Sequence, residues 1–290
     1  MARSSTPPLP LHEIEVPVPS GLSPFAIGTF DEIGSFTRAR FPHRHDFYEI
    51  LYLTGGGGTH VVDFEPYPIE PHSVYVLAPG QVHFWQDTEL IRGRVLVFAE
   101  EFLLAHPGGL LPAPGGSPLL RLTGPQVDLV GGILDDIDRE YRTRAAGYAT
   151  MLRAHLHILL VHVQRLRQAH PHVPVPSSLV WQFTRLVARH VLTERSVGAY
   201  AERIGVTAGH LTDLVRAALG TTPGAVIRAA LALEAKRLLA QTELGVAQVA
   251  HRLAFEDPSY FGRFFKRETG TSPGDFRREV REKYQIARDD

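Results

Sequence analysis

Zero cysteines in 290 residues exclude disulfides, thiolate metal sites and thiol nucleophiles, and a chain of this length has room for two separate cores. The opening MARSSTPPLPLHEIEVPVP lacks an apolar core segment, and no apolar run approaches the ~18 residues a membrane span needs, so a cytoplasmic protein without a membrane partner is expected. The near-zero net charge of −1 hides an asymmetry: the first 178 residues carry 13 Lys+Arg and 18 Asp+Glu, the remainder 17 and 13.

From about Gly28 to Glu101 the pattern is one of short β-strands. FYEILYL, THVVDF, SVYVLA and GRVLVF are rich in β-branched and aromatic residues, and TGGGG (Thr54 to Gly58), EPYPIEP and APGQ read as the turns between them. Regular strands of this kind suggest a sandwich or barrel. Within FPHRHDFYEILYLTGG, side-chain alternation puts His43, His45, Phe47, Glu49, Leu51 and Leu53 on one face. PGQVH follows, and His83 and Trp85 share a face of the next strand.

The spacing H-x-H-x-x-x-E followed by P-G-x-x-H resembles the cupin fold, specifically the cupin-type sensor found ahead of certain DNA-binding domains, over about Gly28 to Phe102. That resemblance implies that His43, His45, Glu49 and His83 could hold a divalent metal, and three imidazoles with a carboxylate suit Fe, Mn, Ni or Zn. It equally admits a metal-free pocket for a small organic effector, or a structural hydrogen-bond cluster. Trp85 and Arg38, the latter from the preceding strand, join the pocket candidates because an indole can stack on a ring and a guanidinium can pair with a carboxylate.

Pro125 to Gln168 reads as two amphipathic helices, the first with Val127, Val130, Ile133, Leu134, Ile137 and Tyr141, the second with Met151, Leu152, Leu156, Leu159, Leu160, Val163 and Leu166. Such a hairpin packs on a sheet, and the resemblance to regulator sensors implies that it also pairs two subunits into a homodimer. The spacings of His155, His157 and His162 do not set two of them at i and i+4, so they carry no metal reading. AHPHVPVPSS, at 169–178, is the expected linker, because its prolines hold the chain extended.

Beyond the linker the chain repeats itself. AERIGV at Ala201 returns as AHRLAF at Ala250, and LGTTPG at Leu219 returns as TGTSPG at Thr269, offsets of 49 and 50 residues that place one inserted residue in a turn. Each copy has helix-turn-helix grammar: a short helix, a turn, a second helix and a glycine stop. The spans are about Val197 to Ile204 and Ala208 to Ala218 in the first copy, then Val246 to Leu253 and a helix opening at Pro258 in the second. Ser196 and Asp257 serve as N-caps. Outward positions are Gly209, Thr212, Asp213 and Arg216 in copy one, and Ser259, Gly262, Arg263, Lys266 and Arg267 in copy two, so the second is the more basic reader. A connecting helix from Pro223 would fix the readers' separation, and a spacing of roughly 34 Å would let both enter successive major-groove segments.

A-x-x-L-A-F at 250–255, D-P-S-Y-F-G-R-F-F-K-R-E-T-G at 257–270 and T-S-P-G-D-F-R at 271–277 make this region similar to the DNA-binding domain of AraC/XylS-type transcription regulators, over about Leu179 to Glu282. The resemblance implies groove-facing roles for Pro258, Ser259, Gly262 and Arg263, and for Gly209, Thr212 and Asp213. Copy one departs from the family's large polar readers, and Asp213 would face phosphates.

The expected fold is α+β in two domains: a cupin-like β-barrel with a helical hairpin for sensing and dimerisation (1–168), the linker, and an all-α double helix-turn-helix (179–290). The expected function is a one-component regulator that binds double-stranded DNA and responds to a small molecule or metal, without catalysis. A metal-dependent cupin enzyme fused to a DNA-binding domain, and an architectural DNA-binding protein without an effector, are the alternatives.

Overall fold

The computed structural model describes residues 11–12, 25–103, 110–111, 117–168 and 178–284. All of the expected linker except Ser178 lies outside them. The first part contains β1 (Leu11–His12), β2 (Phe25–Gly28), α1 (Phe30–Ile33), a 3-10 turn at Ser35–Arg38, β3 (Arg44–His45), β4 (Tyr48–Val62), β5 (Glu65–Pro68), β6 (Ser73–Leu77), β7 (His83–Phe98) and β8 (Leu119–Arg121). The helices α2 (Gly124–Thr143) and α3 (Tyr148–Gln168) follow, then α4 (Ser178–His190), α5 (Val197–Arg203), α6 (Ala208–Leu219), α7 (Pro223–Gln241), α8 (Val246–Arg252), α9 (Pro258–Thr269) and α10 (Pro273–Tyr284). None of the described helices is long and apolar enough to cross a membrane.

Six strands make one antiparallel sheet in the order β2-β7-β4-β6-β8, with β5 paired to β4. Among the described residues β2 and β8 stand at the two ends of this order, and α2 packs against β2.

The TGGGG run does not end a strand, as the sequence suggests; it lies inside the 15-residue β4. The glycines are needed because β4 and β7 approach closely there. Gly56 and Gly58 have φ of +115° and +109°, and a Cβ on them would meet Ile91 Cα at 2.8 Å and Asp87 O at 2.5 Å. The pairing register of β4 against β7 shifts between Leu53 and Thr59, as at β-bulges. His83, the last residue of PGQVH, and GRVLVF likewise belong to one strand, β7.

Alternation sorts the sheet into two faces. Tyr48, Ile50, Tyr52, Leu96 and Phe98 pack under α2 and α3 with Val130, Ile137, Leu156 and Leu160. Leu51, Leu53, Val95 and Val97 face the other way, with Phe47, Tyr75 and Trp85.

In the helical part the duplicated units stand where the repeat places them. α5 and α8 begin 49 residues apart and α6 and α9 50 apart, so the extra residue falls in the second turn. The caps are side-chain made: Ser196 accepts from Ala199 N, Thr207 from His210 N, and Asp257 from Ser259 N and Tyr260 N. Gly220 and Gly270 stop the readers in the left-handed conformation. Gly205 supplies a left-handed residue in the first turn, and Ala254 holds the equivalent position at φ +53°, a conformation unfavourable for alanine.

The two parts also touch. Val61 and Phe84 of the sheet join the buried cluster of the helical part, and Phe64 meets Phe276 edge-on at 5.5 Å. Helix α4 serves both sides: Val180, Phe183 and Val187 enter the helical core, whereas Trp181 packs with the sheet's cluster and donates to Leu111 O. Its Arg185 and Arg189 pair with Glu100 at the end of β7.

Candidate functional site

Helices α6 and α9 carry the residues expected from the sequence to read DNA. Each is anchored by an apolar stripe, Leu211 and Val215 in one and Phe261, Phe264 and Phe265 in the other. The opposite faces are open: Gly209, Asp213 and Arg216 on α6, and Pro258, Ser259, Arg263, Lys266 and Arg267 on α9, are exposed, while Thr212 and Gly262 are half-buried. Arg263 is 70% exposed and lies 3.8 Å from Asp257. Thr212 turns its hydroxyl back onto Ala208 O at 2.8 Å, so its donor is engaged by its own helix. Copy one thus presents one cation, Arg216, beside the anion Asp213, and copy two a run of three cations.

The second constellation lies inside the sheet. His45 stands on β3, Glu49 on β4 and His83 at the start of β7, and all three are buried. His45 Nε2 is 3.5 Å and His83 Nε2 3.8 Å from Glu49 Oε2, and the two imidazole nitrogens are 3.1 Å apart. These three ligand atoms are the group among the described residues whose convergence suits a metal ion. His45 Nδ1 donates to Phe47 O at 2.8 Å, which leaves its Nε2 lone pair aimed at the centre. Glu49 Oε2 has no hydrogen-bond donor although the residue is 1% exposed, and a buried carboxylate oxygen in that condition calls for a cation.

The structure brings together three of the four sequence-named ligands. His43 flanks them: its ring centroid is 4.2 Å from that of His83 and 6.5 Å from that of His45, and its Nδ1 faces Phe41 O. Arg38 is elsewhere. It sits in the 3-10 turn rather than on a strand, and its guanidinium forks onto Asp31 at 2.9 and 3.3 Å at the surface. Trp85 is a wall of the cluster without a free stacking face, because its indole stacks on His60 at 4.0 Å and donates to Thr37 O.

His60 itself was not singled out by the sequence. It is fully buried on β4, opposite Trp85, with Nε2 3.3 Å from His83 Nδ1. Burial, and secondarily the charge of His43, push its pKa down to about 3, so its imidazole is neutral. The three α3 histidines do not converge: His157 is exposed, and His155 and His162 are half-buried.

A ring of interactions ties the cluster to α7, the helix between the readers. Arg44, between His43 and His45, pairs with Glu234 at 2.9 Å; Glu234 approaches Arg237 at 3.4 Å; and Arg237 forks onto Asp63 at 2.9 and 2.9 Å. Asp63 also accepts from Val82 N, one residue before His83, and the ring closes through the backbone bonds between His43 and His83. Burial opposes the charge of Arg237, but Asp63 and Glu234 more than offset this and hold its pKa above the ordinary arginine value.

A ligand-binding sheet joined to a duplicated helix-turn-helix defines a DNA-binding transcription regulator. Residues 32–130 match the AraC-like ligand binding domain and residues 200–279 a helix-turn-helix domain. The chain is 26% identical over 278 residues to the HTH-type transcriptional activator RhaS of Salmonella schwarzengrund, covering 92% of this chain and 96% of that one. It is 23% identical over 246 residues to the activator RhaR of an Enterobacter species, covering 82% and 87%. A crystal structure of fatty-acid-bound ToxT from Vibrio cholerae aligns with a TM-score of 0.40 at 14% identity, over 87% of this chain and 94% of that one. The chain thus carries an AraC-like ligand-binding domain followed by a helix-turn-helix domain, the pairing found in AraC-type transcription regulators, which it resembles.

Proposed function

We propose that this regulator responds to a divalent metal ion held by His45, Glu49 and His83, with His43 beside them, and passes its occupancy to the readers through α7. The donor-less Glu49 oxygen, buried 3.5 and 3.8 Å from two imidazole nitrogens, carries the reading. The packed surroundings favour an ion over a ring-sized effector, since Phe47 stacks on His45 at 4.0 Å and His60 occupies the face of Trp85. The chemistry is binding and not turnover. An ion shifts the regulator only by its differential affinity for two arrangements, and the Arg44–Glu234–Arg237–Asp63 ring supplies the contact that would distinguish them. Metal analysis of untagged full-length protein should find close to one ion per chain, abolished by His45→Ala. Substoichiometric metal that persists in that variant would dismiss the site.

On the DNA side, α9 is the principal reader and α6 a weaker one. Arg263→Ala should weaken binding to a cognate duplex by about 1–3 kcal/mol, roughly 5- to 150-fold, with little change on unrelated duplexes. An equal loss on all sequences would instead make it a phosphate contact. Lys266, Arg216 and the small Ser259, Gly209, Gly262 and Pro258 complete the surface, letting the backbone approach the groove. The cytoplasm is the proposed location.

The α2–α3 hairpin is the proposed homodimer seam, with 1–168 as the sensing and dimerisation unit and 179–290 as the DNA-binding unit. Leu129, Met151 and Ile158, each more than 40% exposed, provide apolar area on its outer face.

A further inference from the structure

We propose that His60 is a positioning residue of the histidine cluster: it accepts the Nδ1–H of His83 and so turns the Nε2 lone pair of His83 toward Glu49 and His45. The inference rests on the reading of that cluster as a metal site. A neutral imidazole has one donor and one acceptor nitrogen, so the partner of Nδ1 decides what Nε2 offers. The described contact to His83 Nδ1 from this side is His60 Nε2, at 3.3 Å.

Two proton arrangements fit the same heavy-atom positions. In the first, His60 Nε2–H donates to His83 Nδ1, and His83 Nε2–H donates across 3.1 Å to His45 Nε2, whose own Nδ1–H is committed to Phe47 O. This run of bonds needs no ion, but it points a proton, and not a lone pair, at the centre. In the second, His83 carries its proton on Nδ1 and donates to His60 Nε2, so both His83 and His45 aim lone pairs inward beside the Glu49 carboxylate. Each imidazole is neutral in both arrangements, and only the seats of two protons change. Ion binding therefore requires His60 to hold its proton on Nδ1, an atom without a hydrogen-bond partner.

The ring cannot simply swing aside. Trp85 stacks on it with planes 18° apart, and Tyr75 meets it edge-on at 4.8 Å. His60 is thus fixed where its Nε2 faces His83, and it is a neighbour that ranks the two proton arrangements without touching the ion.

Zn²⁺ affinity of the untagged full-length chain, measured by competition with a chromophoric chelator, tests this. His60→Phe keeps the stacked ring but removes the acceptor, and it should weaken Zn²⁺ binding by about 10- to 100-fold, in line with other outer-shell partners of metal-bound histidines. His60→Gln retains an acceptor oxygen and should recover much of that loss. Histidine ¹⁵N spectra of the unaltered chain give a second readout that does not depend on a variant folding: with Zn²⁺ bound, His83 and His60 should both carry their proton on Nδ1. Equal affinity of His60→Phe and the wild type, or a Zn²⁺-loaded His60 protonated on Nε2, would overturn the assignment while leaving the metal site intact. A wild-type chain that binds no Zn²⁺ would remove the metal site and this role together.

Discussion

Arg237→Met should destabilise the protein by about 3–5 kcal/mol and uncouple the sensor from the readers, because it deletes the cation of a buried ion pair and leaves its partners behind. Its side chain and that of Asp63 are 14% and 16% exposed, so solvent cannot replace the lost charge. Asp63 would keep Gln81 and Val82 N as donors, and Glu234 would keep Arg44, which places the loss toward the lower end of the range. Methionine matches the stem in length and keeps its apolar packing, so the measured cost reports the loss of the guanidinium group. Denaturant unfolding of Arg237→Met, Asp63→Asn and the double variant isolates the pair. The double variant should recover much of the loss, since it removes the stranded anion as well. Calorimetry supplies a second reading: a single transition in the wild type should split when the sheet and helices no longer unfold together. A loss below ~1 kcal/mol with an unsplit transition would mean that the apolar contacts of Val61, Phe64 and Phe84 join the two parts by themselves.

That ring was invisible in the sequence for a simple reason: Arg44 and Glu234 are 190 positions apart, and Asp63 and Arg237 174. Local patterns cannot register such partners. The repeat was legible because it is local twice over, with cap, turn and stop signals at matching places in both copies. His45, Glu49 and His83 were legible from their spacing, but His60 was not, and the cause lies in the glycine run. Glu49, Leu51 and Leu53 point inward on odd numbers; past the bulges, Val62 packs inward while Val61 faces the helical part. A bulge changes the parity, so an alternation counted from His43 puts His60 on the wrong face. Arg38 failed for the opposite reason. The sequence reading set Arg38 on a preceding strand, whereas the Thr37 hydroxyl donates to Phe30 O and Gly34 O and the segment winds into a 3-10 turn.

The two readers also differ in how they are held, and Phe261→Ala should expose that difference. Phe261 is fully buried on the inner face of α9, 5.3 Å from the Phe255 ring and 5.9 Å from Phe265, which in turn meets Phe276 of α10. Truncating it removes one member of a connected aromatic cluster and leaves a cavity that its rigid neighbours fill poorly, at a cost of about 3–5 kcal/mol. Copy one relies on Leu211 and Val215 at the matching positions, so Leu211→Ala should fall within the broader and lower range of about 2–5 kcal/mol. The consequence for DNA differs in kind from that of Arg263→Ala. An arginine at the surface can be removed while α9 stays in place, so under the proposed base contact the loss depends on the duplex sequence. Loosening the helix disperses Ser259, Arg263, Lys266 and Arg267 together, so Phe261→Ala should weaken every duplex alike and flatten the salt dependence, because fewer phosphate contacts form at once. Filter-binding titrations on one cognate and one unrelated duplex at two salt concentrations separate the cases. A selective loss in Phe261→Ala, with the salt slope unchanged, would show that α9 keeps its seat without this ring.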